Sequence, residues 1–486
     1  MSISKHQFPS WVEKERRPGS EIRFIRNNYY VYSVSSYYDP KLKKSKKKTG
    51  SILGSIKEGI GFIPSGKKEL KERAAISQII DISSISVREF GFSHFLSQYN
   101  QLIELKLNEF FPDLSRMIIY MAYCRIAHNS PLCRMDLHVA KSYLSISDSK
   151  KYSDKDFSQT LRAIGKNRDA ITGYLKSFIK PNEHILVDMT NIFSASNNMR
   201  YCKEGYNSDM VFEKQFNLLY IYSATFQQPA FYKLYSGNIK DVKGFQLCLQ
   251  ESGIEDAVII ADKGFYSASN FKKVTESNLK MIVPLRRDNN AIQYSMLKEE
   301  EMECFKFEDR YIWYVKYTIT QGTIVLFMDE KLKVNEKKDY LDRIEKLPEE
   351  FTKEGYKSKL NRFGTIAIIT NIENPEAEDI YTNYKSRNEV EVMFDGYKNI
   401  LKADRTYMQN EDALEGFIFV NHIALQWYYM IYKLLKENKL LKKYSVTDFI
   451  KLLMEIKKVR VNETWLDEPS INRISTLLES LNISIP

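Results

Sequence analysis

The sequence has 486 residues, 43% of them hydrophobic and 13% aromatic, with 72 Lys and Arg against 62 Asp and Glu. This length suits about two to four domains, and the apolar content supports a packed core, which excludes a chain that is disordered throughout. Residues 1–73 hold 17 basic and 7 acidic residues, which accounts for the whole net charge of +10. That stretch favours a polyanion partner such as nucleic acid, and the alternative is a solvated, solubilising arm.

Other classes are disfavoured by what the sequence lacks. The five cysteines form no C-x-x-C pair, so a disulfide framework and a Cys-type zinc site are both unexpected, and cytosolic thiols are the default. The first residues show no apolar signal segment. The most apolar long window, Gly416 to Tyr432, is short for a bilayer and contains polar residues. It predicts a buried helix and no membrane contact, with core roles for His422 and Trp427.

The N-terminal region begins with a hairpin pattern. Aromatic and β-branched residues from Ile22 to Val34 flank the turn-forming pair Asn27–Asn28. A run of like charges follows, and because like charges repel we expect a mobile loop there. The run consists of Lys41, Lys43, Lys44, Lys46, Lys47 and Lys48. We therefore predict a basic, β-containing region over 1–73, and the helical spacing of apolar residues predicts a helical domain over 74–180.

Residues 181–289 change to short apolar runs that alternate with a helical pattern, which predicts an α/β core with some parallel pairing. The predicted strands are Ile185–Val187, Leu218–Ser223, Phe231–Tyr235, Val258–Ala261 and Lys280–Leu285. The predicted helix, Asp241–Glu251, is followed by a glycine.

The remaining third of the chain divides into three stretches. Residues 290–376 contain strand patterns around a charged stretch, Lys331 to Lys357, and this region is interpreted as a β-rich insertion. Residues 377–436 are predicted to form a second part of the α/β core, with one long helix from Glu378 to about Lys436. Residues 437–486 predict an amphipathic, helical tail.

Two acids follow apolar runs of this predicted core. Asp188 comes directly after Ile185–Val187, and Asp262 directly after Val258–Ala261. Carboxylates at strand ends of an α/β sheet face the crevice where ligands bind, and their hard oxygens suit Mg²⁺ or Mn²⁺. The alternative for each is an ordinary turn former or helix N-cap.

A third feature is a helical spacing of functional residues. Tyr384, Arg387, Glu391 and Lys398 stand at offsets that place all four within an arc of about 60° on one helix. Such a face offers a carboxylate for metal, two cations for phosphates and a ring that can pack or stack. The alternative is an ordinary charged face with helical ion pairs.

This spacing resembles the YREK signature of bacterial insertion-sequence transposases of the DDE type. Three further blocks are similar to blocks of the same family. They are Val187-Asp188-Met189-Thr190, Ser236-Gly237-Asn238 followed by Asp241, and Ala261-Asp262-Lys263-Gly264-Phe265-Tyr266. Together the similarities cover roughly residues 184–425.

The resemblance implies a ribonuclease H-like core interrupted by a β-rich insertion, with Asp188, Asp262 and Glu391 as catalytic and metal-binding residues. It implies two Mg²⁺ or Mn²⁺ ions per site and no other cofactor. These would serve DNA cleavage by water followed by joining of the 3′-hydroxyl. The implied partners are duplex DNA, as terminal inverted repeats and target, and a second copy of the chain in a homodimer. The resemblance also implies a bacterial protein that is located in the cytoplasm and associated with the nucleoid.

Further residues are predicted to contact DNA. Arg387 and Lys398 would position the backbone, and Tyr384 would stack on an unpaired base or pack its helix on the core. Arg286 and Arg287 would bind phosphate or stand on a solvated loop. The predicted DNA contacts of the N-terminal region are Lys43, Lys44, Lys46 and Lys47.

Each predicted segment receives a role on this interpretation. Residues 1–73 would contact DNA, residues 74–180 would bind the element ends, and residues 437–486 would take part in dimerisation. Two other functions stay open, a ribonuclease H-like nuclease without strand transfer and a non-catalytic DNA-binding protein.

Overall fold

The computed structural model describes residues 8–40, 42–65, 85–205, 211–239, 241–298, 300–461, 463–467 and 472–485. The chain divides into two compact units. The first comprises Met1–Val87 and Lys458–Glu468, and the second Arg88–Lys457 and Pro469–Pro486. No described helix is long and apolar enough to cross a membrane.

The strands of the described residues are numbered in chain order. They are β1 (Ser20–Ile25), β2 (Asn28–Asp39), β3 (Lys44–Lys57), β4 (Gly61–Pro64), β5 (Ser86–Glu89), β6 (His184–Ser194), β7 (Lys203–Glu204), β8 (Lys214–Ser223), β9 (Gln228–Ser236), β10 (Val258–Ala261), β11 (Lys280–Pro284), β12 (Glu303–Phe307), β13 (Arg310–Ile319), β14 (Gly322–Asp329), β15 (Thr365–Thr370), β16 (Arg405–Thr406), β17 (Lys457–Val461) and β18 (Thr464–Asp467).

The α-helices of the described residues are numbered in the same way. They are α1 (Ser10–Glu13), α2 (Gly91–Tyr99), α3 (Gln101–Phe110), α4 (Ser115–His128), α5 (Met135–Lys141), α6 (Asp154–Lys166), α7 (Arg168–Lys176), α8 (Asp241–Ser252), α9 (Ala268–Glu276), α10 (Glu330–Lys346), α11 (Lys353–Ser358), α12 (Ala377–Lys385), α13 (Asn388–Asp395), α14 (Glu411–Glu437), α15 (Val446–Met454) and α16 (Asn472–Ser480).

The first unit contains an antiparallel sheet of order β1-β2-β3-β4. The predicted hairpin is confirmed, but its turn is Arg26–Asn27 and not Asn27–Asn28, because Asn28 already pairs with Ile25. The positive φ angles of Arg26 and Asn27 suit a tight two-residue turn. A small core of Val12, Val31 and Ile56 lies against this sheet.

The expectation of a mobile loop at the lysine run is wrong for the described residues, because β3 begins at Lys44 and pairs with β2. Strand geometry points successive side chains to opposite faces, which separates the like charges. The lysines of this run that lie in β3 stand opposite Ser35, Ser36, Tyr37 and Asp39, so no lysine stands opposite another. Lys43 lies in the turn before β3, and Lys41 lies outside the described residues.

The second unit is built on an eleven-stranded mixed sheet. Its path is β12-β13-β14-β15-β11-β10-β6-β8-β7, with β9 on β8 and β16 on β6. The pairs β6–β10, β10–β11 and β6–β16 are parallel, and the other pairs along the path are antiparallel. The α/β class predicted for this region is confirmed, and the strands of residues 290–376 continue this same sheet.

Helices cover the sheet, and one continuous apolar core joins them to it. The central helix is α14, whose middle is almost fully buried. The prediction of a buried helix at Gly416 to Tyr432 is confirmed. Trp427 donates to Asn100 Oδ1 over 2.6 Å, and the His422 ring stacks on Tyr220, so both take the expected core roles.

Two predicted helices are interrupted. The long helix from Glu378 to Lys436 is broken into α12, α13, a π-helical turn at Gly396–Ile400 and α14, with β16 between the last two. The tail after residue 437 contains the antiparallel hairpin β17–β18 as well as two helices. Val459 and Val461 alternate with charged residues there, which is a strand period that the helical interpretation missed.

Candidate active site

Asp188 lies inside β6, not at its end as predicted. The apolar residues Ile185 to Val187 are buried, and the strand continues for six residues beyond Asp188. Asp188 stands opposite Tyr220 of β8, so its backbone is held in the sheet. A turn-forming role for this aspartate is thereby ruled out, because turn residues stand between strands and not within them.

The opposite edge of β6 opens where Asp188 begins. Up to Val187 that edge pairs with β10, and it pairs again with β16 only from Phe193 onward. Val187 is opposite Ala261, so Asp188 and Asp262 are the next residues on the two parallel strands. The two aspartates therefore meet at the carboxyl end of a parallel pair, the position at which ligands bind in open α/β sheets.

Asp262 directly follows β10 and precedes a 3₁₀ turn at Lys263–Phe265. Its backbone carbonyl accepts from the Phe265 amide at 2.9 Å, but its carboxylate makes no capping hydrogen bond. The N-cap alternative considered for this residue therefore does not account for its carboxylate.

The helix predicted to carry Tyr384, Arg387, Glu391 and Lys398 on one face contains a π-turn before Lys398. Between α12 and α13 the amide of Arg387 bonds to the Tyr384 carbonyl, three residues back, while the backbone stays in the right-handed helical region. Tyr384, Arg387 and Glu391 consequently stay together. The π-turn at Gly396–Ile400 changes the rotation per residue before Lys398, which is half-buried within it.

Arg387 connects the carboxylates of this region. Its Nη2 lies 2.5 Å from Glu391 Oε1, and its Nη1 lies 3.9 Å from Asp188 Oδ2. Its side chain is only 17% exposed, whereas that of Glu391 is 54% exposed. The third carboxylate, Asp262, comes directly after β10, lines the same cleft as Arg387 and contributes to the raised pKa of that arginine.

Electrostatics agree with this arrangement. Burial lowers the pKa of Arg387, but the negative charges of Asp262, Glu391 and Asp188 outweigh burial and leave its pKa above the ordinary value. For Tyr384, by contrast, burial raises the pKa; its side chain packs on the core and bonds to Arg387. Both residues therefore keep their protons near neutral pH, and Arg387 stays a cation.

A cleft of about 750 Å³ opens beside Asp262 and is lined by Tyr384 and Arg387. Arg286 lies exposed on its wall, as a phosphate contact requires. Arg287 also lines the cleft, but its guanidinium is held by the Thr365 carbonyl and by Glu336 Oε1 at 2.8 Å. The structure thus separates these two arginines, which the sequence treated alike.

Lys263 is a cleft residue to which the sequence interpretation gave no role. It is exposed and adjoins Asp262. Its position directly after an aspartate that is proposed to bind metal is the sequence feature that could have indicated a phosphate contact.

The Ser236-Gly237-Asn238 block has a structural explanation. A Cβ at Gly237 would clash with the backbone carbonyls of Gln215 and Lys203, so only glycine allows these segments to pack. The next residue of the block, Asp241, begins α8, and its side chain lies outside the described part.

The carboxylates fit a hard divalent cation in their chemistry. Among the described residues no three His, Cys, Asp or Glu side chains stand close enough together to hold a metal ion. Asp188 and Glu391 both pair with the Arg387 guanidinium, and Asp262 lines the same cleft as Arg387. Carboxylate oxygens of this kind are the ligands of Mg²⁺ and Mn²⁺.

Residues 180–427, just over half of the chain, match the family model for the transposase DDE domain. The chain belongs to this family. All residues of the candidate site lie inside the matched range of the transposase DDE domain. No curated protein matches the sequence.

One solved structure with similarity to the chain is a cryo-EM structure of the piggyBac transposase synaptic complex with hairpin DNA. It shares 10% sequence identity and a TM-score of 0.39, over 69% of this chain and 68% of that one. A similarity of this size does not establish a common fold.

Proposed function

We propose that this DDE-family protein is the transposase of a bacterial insertion sequence, which cleaves the element ends and joins the freed 3′-hydroxyls to target DNA. Its catalytic carboxylates are Asp188, Asp262 and Glu391. The observation that carries this assignment is the register of β6 and β10, which makes the two aspartates neighbours at the opened edge of β6. Glu391 reaches the same place through its ion pair with Arg387.

The proposed core is ribonuclease H-like. Its support is the strand order β9-β8-β6-β10-β11, in which an antiparallel trio is followed by parallel strands. Residues 290–376, the proposed β-rich insertion, supply β12 to β15 and extend this sheet beyond β11. The two helices α10 and α11 fall in the charged stretch of this region.

The three carboxylates would hold two Mg²⁺ or Mn²⁺ ions. Such ions activate the attacking oxygen and stabilise the leaving oxygen of an in-line displacement at phosphorus. The chain's own contribution is placement: β6 fixes Asp188 within a paired strand, and β10 fixes Asp262 beside it. The sheet thus sets the spacing of the acids before DNA binds, as catalysis by positioning requires.

Cations around the acids would hold the DNA backbone. Arg387 offers a guanidinium within reach of a phosphate at the carboxylates, and Arg286 and Lys263 line the adjoining cleft. Lys398 is proposed as a further backbone contact, and Tyr384 as a ring that both packs the helix and lines the cleft. Because Arg287 is held by Thr365 and Glu336, we assign it to support of the cleft wall.

The proposed partners are duplex DNA with terminal inverted repeats, target DNA, and a second copy of the chain that brings two ends together. Residues 1–73 are proposed to contact DNA through lysines that include Lys44 and Lys46, and residues 74–180 to bind the element ends. The site of action would be the nucleoid in the bacterial cytoplasm.

A joining assay tests this function. The purified chain is incubated with Mg²⁺, a labelled duplex that carries the inverted repeats flanking its gene, and a supercoiled target plasmid. We expect cleavage and joined product. We expect Asp188→Asn, Asp262→Asn and Glu391→Gln each to lower both rates by at least about 10³-fold, because each removes a metal-binding carboxylate.

The matched control is Asp395→Asn, which removes an exposed carboxylate from the same helix as Glu391. It should keep wild-type rates, and all four variants should keep the wild-type unfolding midpoint and DNA affinity. Joining that survived all three site substitutions would disprove the assignment of the acids. Cleavage without joining would indicate a nuclease, and binding without cleavage a non-catalytic DNA-binding protein.

A further inference from the structure

The hairpin of β2 and β3 extends beyond the sheet to which it belongs. The last residue of β2 that pairs with β1 is Ser33, and β4 pairs with β3 only from Gly54 onward. Between these limits Ser35–Asp39 pairs with Lys44–Lys48 alone. In the described residues this part is a two-stranded ribbon without a third strand.

The ribbon is exposed on both faces. All ten of its residues are exposed except Asp39, which is half-buried. The small core of Val12, Val31 and Ile56 lies under the other end of the sheet. Since a two-stranded hairpin is at best marginally stable in water, this ribbon depends on the sheet behind it.

Strand alternation sorts the lysines of the ribbon. Lys46 stands opposite Tyr37 and Lys48 opposite Ser35, so these residues share one face. Lys44, opposite Asp39, is on the same face. We call this surface the lysine face; it consists of Ser35, Tyr37, Asp39, Lys44, Lys46 and Lys48.

Lys47 points to the other face. There it pairs with Glu21 of β1, and this ion pair contributes to a lowered pKa of that glutamate. Its charge is therefore compensated within the protein. On the lysine face the one acid is Asp39, 3.0 Å from Lys46, so three positive charges meet one negative charge.

We propose that this ribbon lies in the major groove of duplex DNA with its lysine face turned into the groove. The inference rests on the proposed function, which makes duplex DNA the substrate. The major groove, about 12 Å wide, admits a two-stranded β-ribbon, whereas the minor groove is about half as wide. Five residue pairs span about 17 Å, which gives Lys44 and Lys48 reach to phosphates along the groove.

Two double variants with the same change in charge test the lysine face. Lys44→Gln/Lys48→Gln removes two charges from it, and Lys43→Gln/Lys47→Gln removes two from the adjoining turn and the opposite face. Duplex affinity is measured for the full chain from 50 to 300 mM salt. The first variant should bind about tenfold more weakly, and its plot of log affinity against log salt should be shallower by about 2.

The control variant should change that slope by less than half as much. Equal effects of the two variants would overturn the lysine face, because net charge alone would then explain binding. A wild-type chain that binds no duplex would instead contradict the proposed function. Unchanged circular dichroism and unfolding midpoints establish that both variants fold.

Methylation interference tests the groove. Guanine N7 lies in the major groove, so methylation there should weaken wild-type binding at discrete positions, and Lys44→Gln/Lys48→Gln should be insensitive at those positions. Interference only from minor-groove adenine N3 methylation would overturn the groove assignment.

Discussion

The candidate active site and the central helix α14 both place polar side chains in the interior of the second unit, but they satisfy these groups differently. On α14, Asn421 Oδ1 accepts from Arg125 at 2.9 Å and its Nδ2 donates to the Phe417 carbonyl at 2.8 Å. At the site, Arg387 reaches Asp188 only at 3.9 Å, and its other partner, Glu391, is half exposed.

This difference distinguishes polar groups that specify packing from those available to a ligand. A buried amide bonded at hydrogen-bond distance has little to gain from a new partner. Asp188 and Glu391 share one guanidinium, and a divalent cation would relieve the mutual repulsion of such carboxylates. Changes on α14 should therefore act on stability, and changes at the site on ion binding and catalysis.

The largest effect on stability is expected from a substitution of Gly416, at the point where α14 crosses α6. A Cβ there would clash with the Leu161 carbonyl, so the helices must separate. Gly416→Ala should lower the free energy of unfolding by about 2–3 kcal/mol, as measured by urea denaturation. Cleavage at 25 °C should be unchanged.

Gly396 supplies the control, since a Cβ there would meet Tyr428 at an ordinary 3.5 Å. Gly396→Ala should change stability by less than about 1 kcal/mol. Equal destabilisation by both substitutions would contradict the close helix crossing.

His422 should give α14 a dependence on pH. Burial lowers its pKa from 6.5 to about 3, and its Nδ1 lies 2.7 Å from Tyr220 Oη. Between these values the unfolded chain binds a proton that the folded chain does not, so stability falls as pH falls below 6.5. The contribution is about 1.4 kcal/mol per pH unit, and it is absent above pH 6.5.

Denaturation of the wild type and of His422→Phe from pH 7.5 to 5 measures the contribution of His422 to the pH dependence of stability. The variant should lose the His422 contribution to the pH slope while keeping a ring against Tyr220. Identical slopes would show that the imidazole is not the titrating group.

The smallest effect in this series is expected at Arg387, and it concerns the affinity for a metal ion. If the acids hold metal as proposed, the guanidinium that pairs with Asp188 and Glu391 would compete with the cation. Arg387→Gln should then bind Mn²⁺ up to about tenfold more tightly in calorimetric titrations without DNA. Arg310→Gln is the control, because Arg310 pairs with Asp329, which belongs to none of the site strands. Equal affinity of Arg387→Gln and wild type would show that the guanidinium is no competitor.

Sequence patterns located the core strands well where they were short and wholly apolar. Val258–Ala261 forms a strand with the predicted limits, because a buried parallel strand shows an uninterrupted apolar run. The strand at Ile185 extends much further, since Met189 to Ser194 mixes polar and apolar residues and the apolar run alone does not mark its end.

The arrangement of the site was predictable only in part. A fixed rotation per residue predicts the grouping of Arg387 with Glu391, and the ion pair is present. Lys398 lies in a π-turn, whose different rotation per residue a fixed helical spacing does not anticipate. The inward position of Arg387 also depends on strands about 200 and 125 residues earlier in the chain, which no local pattern contains.

The location of Asp188 within β6 has a consequence for heat inactivation. A residue at a strand terminus can fray while the rest of a protein stays folded, but Asp188 has six further strand residues after it, and its neighbours along β6 pair with β8. Amides of this segment that bond to β8 should be among the last to exchange with deuterium, since their opening requires disruption of the central sheet. Activity should therefore decline with temperature along the same curve as global unfolding of the unit, without an earlier phase of local loss.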